Sequence, residues 1–499
     1  MFHTLLLPLL FLQVETTAFT KDAVVKISCQ YQEPDFNQPW TKKPSTEGGG
    51  SGVILNSGWV VTNAHVVRYA TRIYIQPHGS DERYEAEARF IAYRDDLALL
   101  KPKDSNFFNL FPSVSLDVAV PSPGSSIQVL GYPKGGQELS MTEGVVSRIQ
   151  YHRNLSNGYA GLVIEIDAAV NHGNSGGPVV SNGNLIAIVM SGLGKDDAEG
   201  INWNIPAAKL QSLIDDCEDG NHAGAPVARV CWIKAENQQL RAYLGLSASD
   251  QGVLISPNPQ WSPENLGIQK WDFLMEIAGH PVDNFGKVML DNETQVEWMH
   301  FVSRETANEK GQIPIKIIRK GVHFDTLLRT SLASDVPWVI RDANGTYPSY
   351  YIYGPLVFIE VPRKWRLNWF FTTRGHLISR RVATMQRQAN ERLVMATGKL
   401  LDHSISKGYE HVPGAVLLQV NGKPILNLKD LVATLEAFTE GDVLLEFDPH
   451  NLADARRSPR PGAQNMVFRH QEVLKTREDI LEEASIRRHY SKDLADFIR

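Results

Sequence analysis

The sequence predicts a mainly β protein in which a long barrel-forming region is followed by smaller α+β units. Its 499 residues are too many for one hydrophobic core and favour about three domains. From residue 23 onward, short β-type runs alternate with turns of Gly, Pro, Asn and Asp at the spacing typical of an all-β barrel. Residues 220–226 (GNHAGAP) have the composition of a linker and separate this region from the second half of the chain.

The elements of the barrel region succeed one another in a regular way. Residues 23–29 predict a first strand, and the polar, proline-interrupted residues 32–49 predict a long loop. Residues 52–62 predict a hairpin closed by a glycine turn. Residues 207–217 carry apolar side chains at helical spacing, so an amphipathic helix is expected to close the domain.

Composition and charge are those of an ordinary globular protein. The formal net charge is −6 and no basic cluster is present, which argues against a nucleic-acid partner. Cys29, Cys217 and Cys231 show neither a disulfide framework nor metal-ligand spacing. We expect three buried or half-buried thiols, with a Cys217–Cys231 bridge as the alternative, and no metal or organic cofactor.

The first 18 residues resemble a signal peptide. The apolar run at 5–12 is too short to span a bilayer but long enough for a signal-peptide core, and residues 16–18 are small enough for cleavage. Although no Lys or Arg precedes the run, the run and the small residues after it predict that residues 1–18 direct export to a periplasmic or other extracytoplasmic place. The alternative is an untargeted, intracellular chain. No other stretch approaches the length of a membrane span.

Residues 173–178 (GNSGGP) lie between two apolar β-type runs and predict a catalytic loop. Glycines permit the tight backbone that presents the Ser175 hydroxyl and nearby N–H groups to one point. A serine nucleophile also needs a base and a group that orients the base. His65 follows one predicted strand, and Asp96 precedes another at 97–100; the alternative acid, Asp95, is expected to face solvent.

The chain order His65, Asp96, Ser175 is that of the chymotrypsin-like double barrel. Seven sequence blocks in all resemble the HtrA/Deg serine proteases, at residues 50–54, 62–66, 96–100, 131–133, 144–147, 173–178 and 201–206. This resemblance implies a trypsin-like serine protease domain at residues 20–216. The downstream half resembles the plant-type Deg branch more than the bacterial protease DegP.

With this mechanism, Ser175 attacks the peptide carbonyl, His65 transfers the proton and Asp96 holds the imidazole tautomer. The N–H groups of Gly173 and Ser175, helped by Asn174, are expected to form the oxyanion hole.

The strand at 185–190 is expected to lie along an extended substrate, with main-chain contacts from Ser191, Gly192 and Leu193. By resemblance, Ile201, Trp203 and Asn204 line the primary specificity pocket. The family usually has a small apolar residue where this chain has Asn204, which predicts a shallow, partly polar pocket that accepts Val, Ala, Ile or Thr.

Arg153 lies in a polar loop at a place where the family transmits regulatory signals. It is a regulatory candidate, with simple solvation of the side chain as the alternative.

Two PDZ-like units are predicted after the linker. The first spans 226–332, and its loop of Val227, Ala228, Arg229 and Val230 is expected to bind a peptide C-terminus through backbone N–H groups. The second, degenerate unit spans 349–449, with a binding loop and its first strand at 353–358 and a helix at 380–401; the alternative is that it binds no peptide. A C-terminal helical extension at 463–499 is expected to pack on this unit or on a neighbouring subunit.

Together these features predict an ATP-independent serine endopeptidase that degrades unfolded or damaged proteins through an acyl-enzyme. The resemblance implies a homo-oligomer, a trimer or a multiple of three. The alternative is a holdase chaperone or PDZ scaffold with a latent protease site. An esterase with the same triad is disfavoured, because PDZ-like units suit peptides.

Overall fold

The computed structural model describes residues 19–134, 136–152, 161–192, 202–228, 230–256, 267–291, 294–332, 338–363, 377–381, 384–398, 400–409, 414–448 and 465–498. The predicted signal peptide lies outside the described residues, as do Arg153, Leu193, Ile201 and Arg229. Within those ranges, no helix combines the length and apolarity needed to cross a membrane.

Two closed β-barrels of six strands each form the first half of the chain. The strands of the first barrel are β1 (Val24–Tyr31), β2 (Thr46–Leu55), β3 (Trp59–Thr62), β4 (Ala70–Pro77), β5 (Tyr84–Ala92) and β6 (Leu97–Pro102). β1 pairs with both β2 and β4, which closes the ring. The predicted hairpin is confirmed as β2–β3, and Gly58 in its turn has φ of +78°, a conformation that glycine adopts without steric cost.

The second barrel is built in the same way from β7 (Ser126–Gly131), β8 (Ser140–His152), β9 (Gly161–Ile166), β10 (Pro178–Ser181), β11 (Asn184–Gly192) and β12 (Asn202–Pro206). Short helices α1 (Ala64–Val67) and α2 (Phe107–Leu110) belong to the first barrel, and a 3-10 turn at Lys21–Ala23 precedes it. Helix α3 (Ala207–Asp216) ends the domain, as predicted, and its apolar face joins the core of the first barrel. The expected mainly β double barrel is therefore confirmed.

The first PDZ-like unit is a second sheet packed against the second barrel. Its elements are β13 (Pro226–Val227), β14 (Cys231–Lys234), α4 (Gln238–Tyr243), β15 (Val253–Ser256), β16 (Phe273–Ile277), β17 (His280–Pro281), β18 (Lys287–Met289), β19 (Gln295–Glu297), a 3-10 helix at Trp298–Phe301, β20 (Gln312–Arg319), β21 (Val322–Arg329) and β22 (Ser331–Leu332). The main sheet runs β14-β15-β16-β20-β21, so β14 is an edge strand. One continuous apolar core joins this unit to the second barrel.

Polar contacts fix the linker that connects the two. Asp216, at the end of α3, accepts hydrogen bonds from His222 Nδ1 at 2.7 Å and from the backbone N–H of Gly224 at 2.8 Å, and it forms an ion pair with Arg304. Arg304 in turn donates to the Gly224 carbonyl at 2.6 Å. The segment predicted as a linker from its composition is therefore tied to both domains.

His300 lies at this junction and should make stability depend on pH. Burial lowers its pKa from 6.5 to about 4; nearby Lys209 and His280 lower it further, whereas Glu305 raises it. Since the unfolded chain binds more protons between pH 6.5 and 4, the free energy of unfolding should fall across this window as pH falls, by roughly 2 kcal/mol from this group. The contribution is fully present above pH 6.5.

Urea unfolding at pH 7.5 and 4.5 measures the effect. His300→Gln should reduce the pH dependence, while His323→Gln, which changes an exposed histidine of the same unit, should preserve it. Equal pH dependence in wild type and His300→Gln would contradict the assignment.

The second PDZ-like unit is a sheet with the order β23-β24-β25-β26-β28-β29, in which β27 pairs with β26. Its elements are β23 (Tyr350–Tyr353), β24 (Leu356–Glu360), α5 (Leu377–Arg381), β25 (Val394–Thr397), a 3-10 helix at Ser404–Ser406, β26 (Ala415–Val420), β27 (Lys423–Pro424), α6 (Leu428–Glu436), β28 (Asp442–Phe447), β29 (Met466–Arg469), α7 (His470–Glu483) and a 3-10 helix at Lys492–Phe497. The predicted sheet-rich, PDZ-like architecture is confirmed.

Three sequence expectations for this unit need correction. The helix predicted at 380–401 is wrong, because α5 ends at Arg381 and β25 is a buried central strand. Residues 353–358 contain the expected strand, as the start of β24, but the expected binding loop is only the tight turn of the β23–β24 hairpin. The tail from 463 is not a separate extension, since β29 pairs with β28 and completes the same sheet.

The chain's own C-terminal segment covers the outer edge of β23. The N–H of Ile352 donates to the His489 carbonyl at 2.7 Å, and the N–H of Ser491 donates to the Tyr350 carbonyl at 3.0 Å. A peptide that added a strand at this edge would have to displace residues 489–491.

The loop predicted at 32–49 docks the second PDZ-like unit on the first barrel. Thr397 Oγ1 donates to the Phe36 carbonyl at 2.7 Å, and the Tyr347 hydroxyl donates to the Gln32 carbonyl at 2.6 Å. The rings of Trp40 and Tyr350 meet edge to face, with centroids 6.0 Å apart. The strand β2 begins at residue 46, somewhat before the predicted end of this loop.

The three cysteines are thiols, as expected. Cys29 and Cys217 are buried and Cys231 is half-buried, and none of them is in a disulfide. Burial raises the pKa of Cys29 to about 12 and that of Cys217 to about 11, so both stay protonated at neutral pH.

Candidate active site

The predicted acid and base meet at the edge of the first barrel. His65 lies on α1, and Asp96 lies in the turn before β6. Asp96 Oδ2 is 2.8 Å from His65 Nδ1, and Asp96 Oδ1 accepts the backbone N–H of His65 at 3.0 Å. The carboxylate is 3% exposed and the imidazole 41% exposed. The contact with the carboxylate favours a proton on Nδ1, which leaves Nε2 as the nitrogen that can accept one.

Asp96 is held by its backbone as well as by its side chain. Its φ is +52°, a left-handed conformation that Asp and Asn tolerate better than most residues. Asn63 Nδ2 donates to its carbonyl at 2.9 Å. These contacts fix the direction in which the carboxylate points.

Asp95 does not face solvent, contrary to the sequence prediction. It is buried, and its Oδ1 lies 3.0 Å from Lys209 Nζ on α3. The left-handed turn at Asp96 sends the two neighbouring carboxylates in different directions. Asp95 joins the first barrel to the closing helix, while Asp96 holds the imidazole.

The Ser175 loop comes from the second barrel and lies against residues 62–66 of the first. A Cβ on Gly50 would be 2.7 Å from the Ser175 carbonyl and 2.9 Å from Val66 Cγ2, which shows how closely the two sides approach. Ser175 is 9% exposed, and its hydroxyl donates to the Met190 carbonyl at 3.2 Å. Among the described residues, this is the hydrogen bond that the Ser175 hydroxyl makes; the hydroxyl is not hydrogen-bonded to His65.

Hydrogen bonds fix the peptide groups of this loop. The His172 carbonyl accepts the N–H of Lys134 at 2.6 Å, and the N–H of Asn174 donates to the Asn171 carbonyl at 3.0 Å. The Asn174 carbonyl accepts the N–H of Gly177 at 2.9 Å, and the N–H of Gly176 donates to the Val189 carbonyl at 2.9 Å.

Two backbone N–H groups of this loop lack a hydrogen-bond acceptor among the described residues. They are the N–H groups of Gly173 and Ser175. The peptide between residues 172 and 173 is trans, and its carbonyl is bonded to Lys134, so the Gly173 N–H points the opposite way. Unpaired donors beside a serine hydroxyl are what an oxyanion hole requires.

Asn174 does not join them. Its backbone N–H is bonded to Asn171, and its buried side chain packs against Gly131. The expected assistance from Asn174 is therefore corrected.

Gly176 is the position in this loop that least tolerates a side chain. Its φ is +85°, and a Cβ would lie 2.2 Å from the Ser51 carbonyl oxygen and 2.3 Å from Thr62 Oγ1. Gly176→Ala should lower the free energy of unfolding by roughly 3 kcal/mol and also lower activity. Gly183→Ala is the control: φ is +76° with nothing within 4 Å, so only backbone strain of about 1 kcal/mol is expected. Equal losses in urea unfolding would show that the clash is unimportant.

The end of β11 offers an edge beside the nucleophile. Ser191 and Gly192 pair with Trp203 and Asn202 of β12 along one edge. On the other edge, Val189 bonds to Gly176 and Gly177, and beyond it no described strand continues the pairing. This edge is where an extended peptide could add to the barrel.

The expected role of Asn204 in the specificity pocket is corrected. Asn204 is 0% exposed, and its Nδ2 donates to the Ile164 carbonyl at 2.9 Å and to the Asn202 carbonyl at 3.2 Å. The side chain therefore ties β12 to β9 and does not line an open pocket. Trp203 points to the opposite face of β12, because side chains alternate along a strand.

On that face, Trp203 belongs to a polar cluster around the buried Glu165. The indole Nε1 donates to Glu165 at 3.1 Å, and Arg148 forms an ion pair with the same carboxylate. The ring of His152 lies 4.6 Å from Trp203, and burial lowers the pKa of His152. Arg153 comes directly after it and lies outside the described residues, so its proposed regulatory role stays a prediction.

The predicted peptide-binding loop of the first PDZ-like unit is partly described. Val227 pairs with Ser331, while the side chains of Ala228 and Val230 are buried in the core shared with the second barrel. Next to this loop, Trp232 on β14 packs against Gly286, where a Cβ would be 2.3 Å from its ring.

Known proteins resemble this chain over most of its length. A family of trypsin-like peptidase domains matches residues 50–188, and a PDZ domain family matches residues 339–493. Protease Do-like 4, mitochondrial, of Arabidopsis thaliana is 29% identical over 432 residues, which cover 86% of this chain and 80% of that protein. The chain is a serine protease, and it is similar to the Do-like (HtrA/Deg) proteases over most of its length.

Two further relatives are similar to this serine protease. Protease Do-like 2, chloroplastic, of Arabidopsis thaliana is 28% identical over 452 residues, or 90% of this chain and 73% of that protein. Serine protease DegP homolog of Plasmodium falciparum is 34% identical over 236 residues, or 47% of this chain and 27% of that protein. The predicted likeness to the plant-type Deg branch is confirmed, as is the assignment as a serine protease.

Sequence reasoning missed two residues that shape the candidate site of this serine protease. Lys209 holds Asp95 across the domain, and nothing in the sequence pairs them because they are far apart in the chain. Ser51 lies in a block that the resemblance singled out, between Gly50 and Gly52, yet no role was attached to it. A serine between two glycines at a predicted strand was the available signal.

Proposed function

We propose that this serine protease is an ATP-independent endopeptidase that cleaves unfolded or damaged polypeptides. The Ser175 hydroxyl attacks the scissile carbonyl carbon as His65 Nε2 accepts its proton, and the carbonyl oxygen becomes the oxyanion held by Gly173 and Ser175 N–H groups. The C–N bond then breaks while His65 returns the proton to the leaving amine. Water, deprotonated by His65, releases the acyl group from Ser175 and regenerates the hydroxyl.

The observation that carries this proposal is the Asp96-bound imidazole beside a serine loop with two unpaired N–H groups. In this conformation the serine hydroxyl rests on Met190, so catalysis requires its rotation toward His65. Such contacts often tighten only when substrate binds. The rotation is about one side-chain bond and is cheap compared with a change of fold.

Preference for unfolded substrates is supported by the edge of β11 next to Val189, where no described strand continues the pairing. A peptide must be extended over several residues to add to this edge, and folded proteins rarely offer such a segment. The pocket preference for Val, Ala, Ile or Thr remains part of the proposal, although Asn204 does not supply it. Cleavage-site profiling tests it, and a dominant Arg/Lys or Phe/Tyr preference contradicts it.

A fluorophosphonate probe tests the mechanism directly. The wild-type protein should be labelled on the peptide that carries Ser175, identified by mass spectrometry, and should degrade unfolded casein without ATP. A protein that suppresses client aggregation but is neither labelled nor proteolytic would favour the alternative, a holdase chaperone or PDZ scaffold with a latent site.

The first PDZ-like unit is proposed to bind peptide C-termini at β14 and the loop at 227–230. The edge position of β14 supports this, and the packing of Trp232 against Gly286 restricts the side chains that fit. Fluorescence anisotropy with a peptide acid and its C-terminal amide tests it. Equal affinities would remove the role of the terminal carboxylate.

Export from the cytosol and assembly into a trimer or a multiple of three complete the proposal. Relatives are named mitochondrial and chloroplastic, which supports a place outside the cytosol. A fusion of residues 1–30 to a fluorescent protein tests targeting; a cytosolic signal would favour the intracellular alternative. Light scattering of the purified protein tests assembly, for which the family resemblance is the support.

A further inference from the structure

Ser51, on β2 of the first barrel, connects the two barrels directly beneath the catalytic loop. It is 0% exposed. Its hydroxyl donates to the Gly173 carbonyl at 2.8 Å and accepts the N–H of Tyr132 at 2.8 Å. Its backbone N–H donates to the Ser175 carbonyl at 2.8 Å. Thus one residue of the first barrel restrains both members of the proposed oxyanion hole.

The direction of the Ser51 hydroxyl is fixed by its partners. An amide N–H can only donate, so the oxygen must accept from Tyr132. The single hydroxyl proton is then available for the Gly173 carbonyl. Leaving this half-buried carbonyl without a donor costs free energy, so the bond opposes rotation of the peptide that follows Gly173.

Gly173 needs such a restraint because the backbone angles of glycine are less restricted than those of other residues. Its φ is +106°, and a Cβ would lie 2.4 Å from the Tyr132 carbonyl oxygen, so no other residue fits. Glycine populates both signs of φ readily. The bond from Lys134 to the His172 carbonyl holds the peptide that carries the Gly173 N–H, and the bond from Ser51 helps to hold the peptide that follows. Without the bond from Ser51, rotation about the Gly173 Cα–C bond would change the spacing between the Gly173 and Ser175 N–H groups.

We propose that Ser51 is a positioning residue for the oxyanion hole: by binding the Gly173 and Ser175 carbonyls from the opposite barrel, it fixes the spacing of the Gly173 and Ser175 N–H groups. This inference rests on the proposed proteolytic function.

The two glycines around Ser51 support the same role. A Cβ on Gly50 would be 2.7 Å from the Ser175 carbonyl oxygen, and one on Gly52 would be 2.7 Å from the Val61 carbonyl oxygen. Gly50 therefore permits the close approach of β2 to the Ser175 loop, and Gly52 permits the close packing of β2 against β3 next to Ser51.

The test is Ser51→Ala in the full-length protein, because alanine keeps the backbone N–H that bonds Ser175 and removes only the hydroxyl. We expect kcat for a peptide substrate to fall about 10- to 100-fold with little change in KM. Affinity for a peptide boronate, which mimics the tetrahedral state, should fall by the same factor. Peptide affinity measured in the Ser175→Ala background should stay unchanged, as should the pH profile of kcat/KM, since His65 is untouched.

Ser181→Ala is the matched control. Ser181 is also buried, and its hydroxyl donates to the Ser126 carbonyl at 2.9 Å, away from the active site. It should lose stability comparable to Ser51→Ala but keep kcat and boronate affinity. Ser51→Cys replaces the hydroxyl by a weaker donor of similar shape, so its kcat and boronate affinity should lie between those of wild type and Ser51→Ala. This variant tests the proposal if Ser51→Ala does not fold.

An unchanged boronate affinity in Ser51→Ala, or a loss of activity that only follows the loss of stability seen in Ser181→Ala, would overturn the positioning role. Failure of the proposed function is distinguishable, because wild type itself would then neither cleave peptide nor bind the boronate.

Discussion

Replacement of Ser175 by alanine should lower kcat on unfolded casein by roughly a factor of 10⁶. The substitution removes the oxygen proposed as the nucleophile. Among the described residues, the folded state loses one hydrogen bond of this hydroxyl, to the Met190 carbonyl. The melting temperature should therefore change little, and fluorophosphonate labelling should disappear.

The control for this variant is again Ser181→Ala, which removes a buried hydroxyl of the same barrel. It should retain labelling and proteolysis. Residual casein degradation at the wild-type rate in Ser175→Ala would assign the activity to another group or to a contaminating protease.

Asp96→Asn should lower kcat about 10⁴-fold near neutral pH with the fold retained. Asparagine tolerates the left-handed φ of +52°, and its amide oxygen can still accept the His65 backbone N–H. Its amide nitrogen, however, would donate to His65 Nδ1, so the ring proton would move to Nε2. A ring protonated there cannot accept the serine proton. Casein cleavage measured between pH 6 and 9 would show the loss.

Asp95→Asn is the neighbouring control. Its carboxylate faces Lys209 instead of His65, so activity should stay within a few-fold of wild type while stability falls by about 1 kcal/mol. If Asp95→Asn proved the more damaging variant for kcat, the orienting acid would have been assigned to the wrong carboxylate.

Much of the site was readable from the sequence because its residues lie in short local patterns. The glycines around Ser175 predict a tight loop, and the apolar runs beside His65 and Asp96 predict strands that end at a common edge. Chain order added the fold class. These patterns do not specify the direction in which each side chain points. For this reason the predicted surroundings of Asp95, Asn174 and Asn204 were wrong.

The second PDZ-like unit shows the same limit on a larger scale. Residues 394–397 are apolar and come after a basic stretch, so they fit the end of a helix as well as a buried strand. The neighbouring strands β24 and β26 decide the outcome, because their free edges accept a strand and not a helix. The strand at 466–469 is likewise fixed by β28, to which no local pattern points.

Local spacing and backbone freedom suffice to predict the fold class, the candidate reacting side chains and the glycines that the Ser175 loop needs. Three features follow only from the folded chain: which N–H groups remain unpaired among the described residues, which carboxylate meets the imidazole and how Ser51 binds the loop from the other barrel. Those features depend on hydrogen bonds between residues more than a hundred positions apart or on a single backbone angle, as between Ser51 and Gly173. Only packing of the two barrels brings such groups within reach of each other.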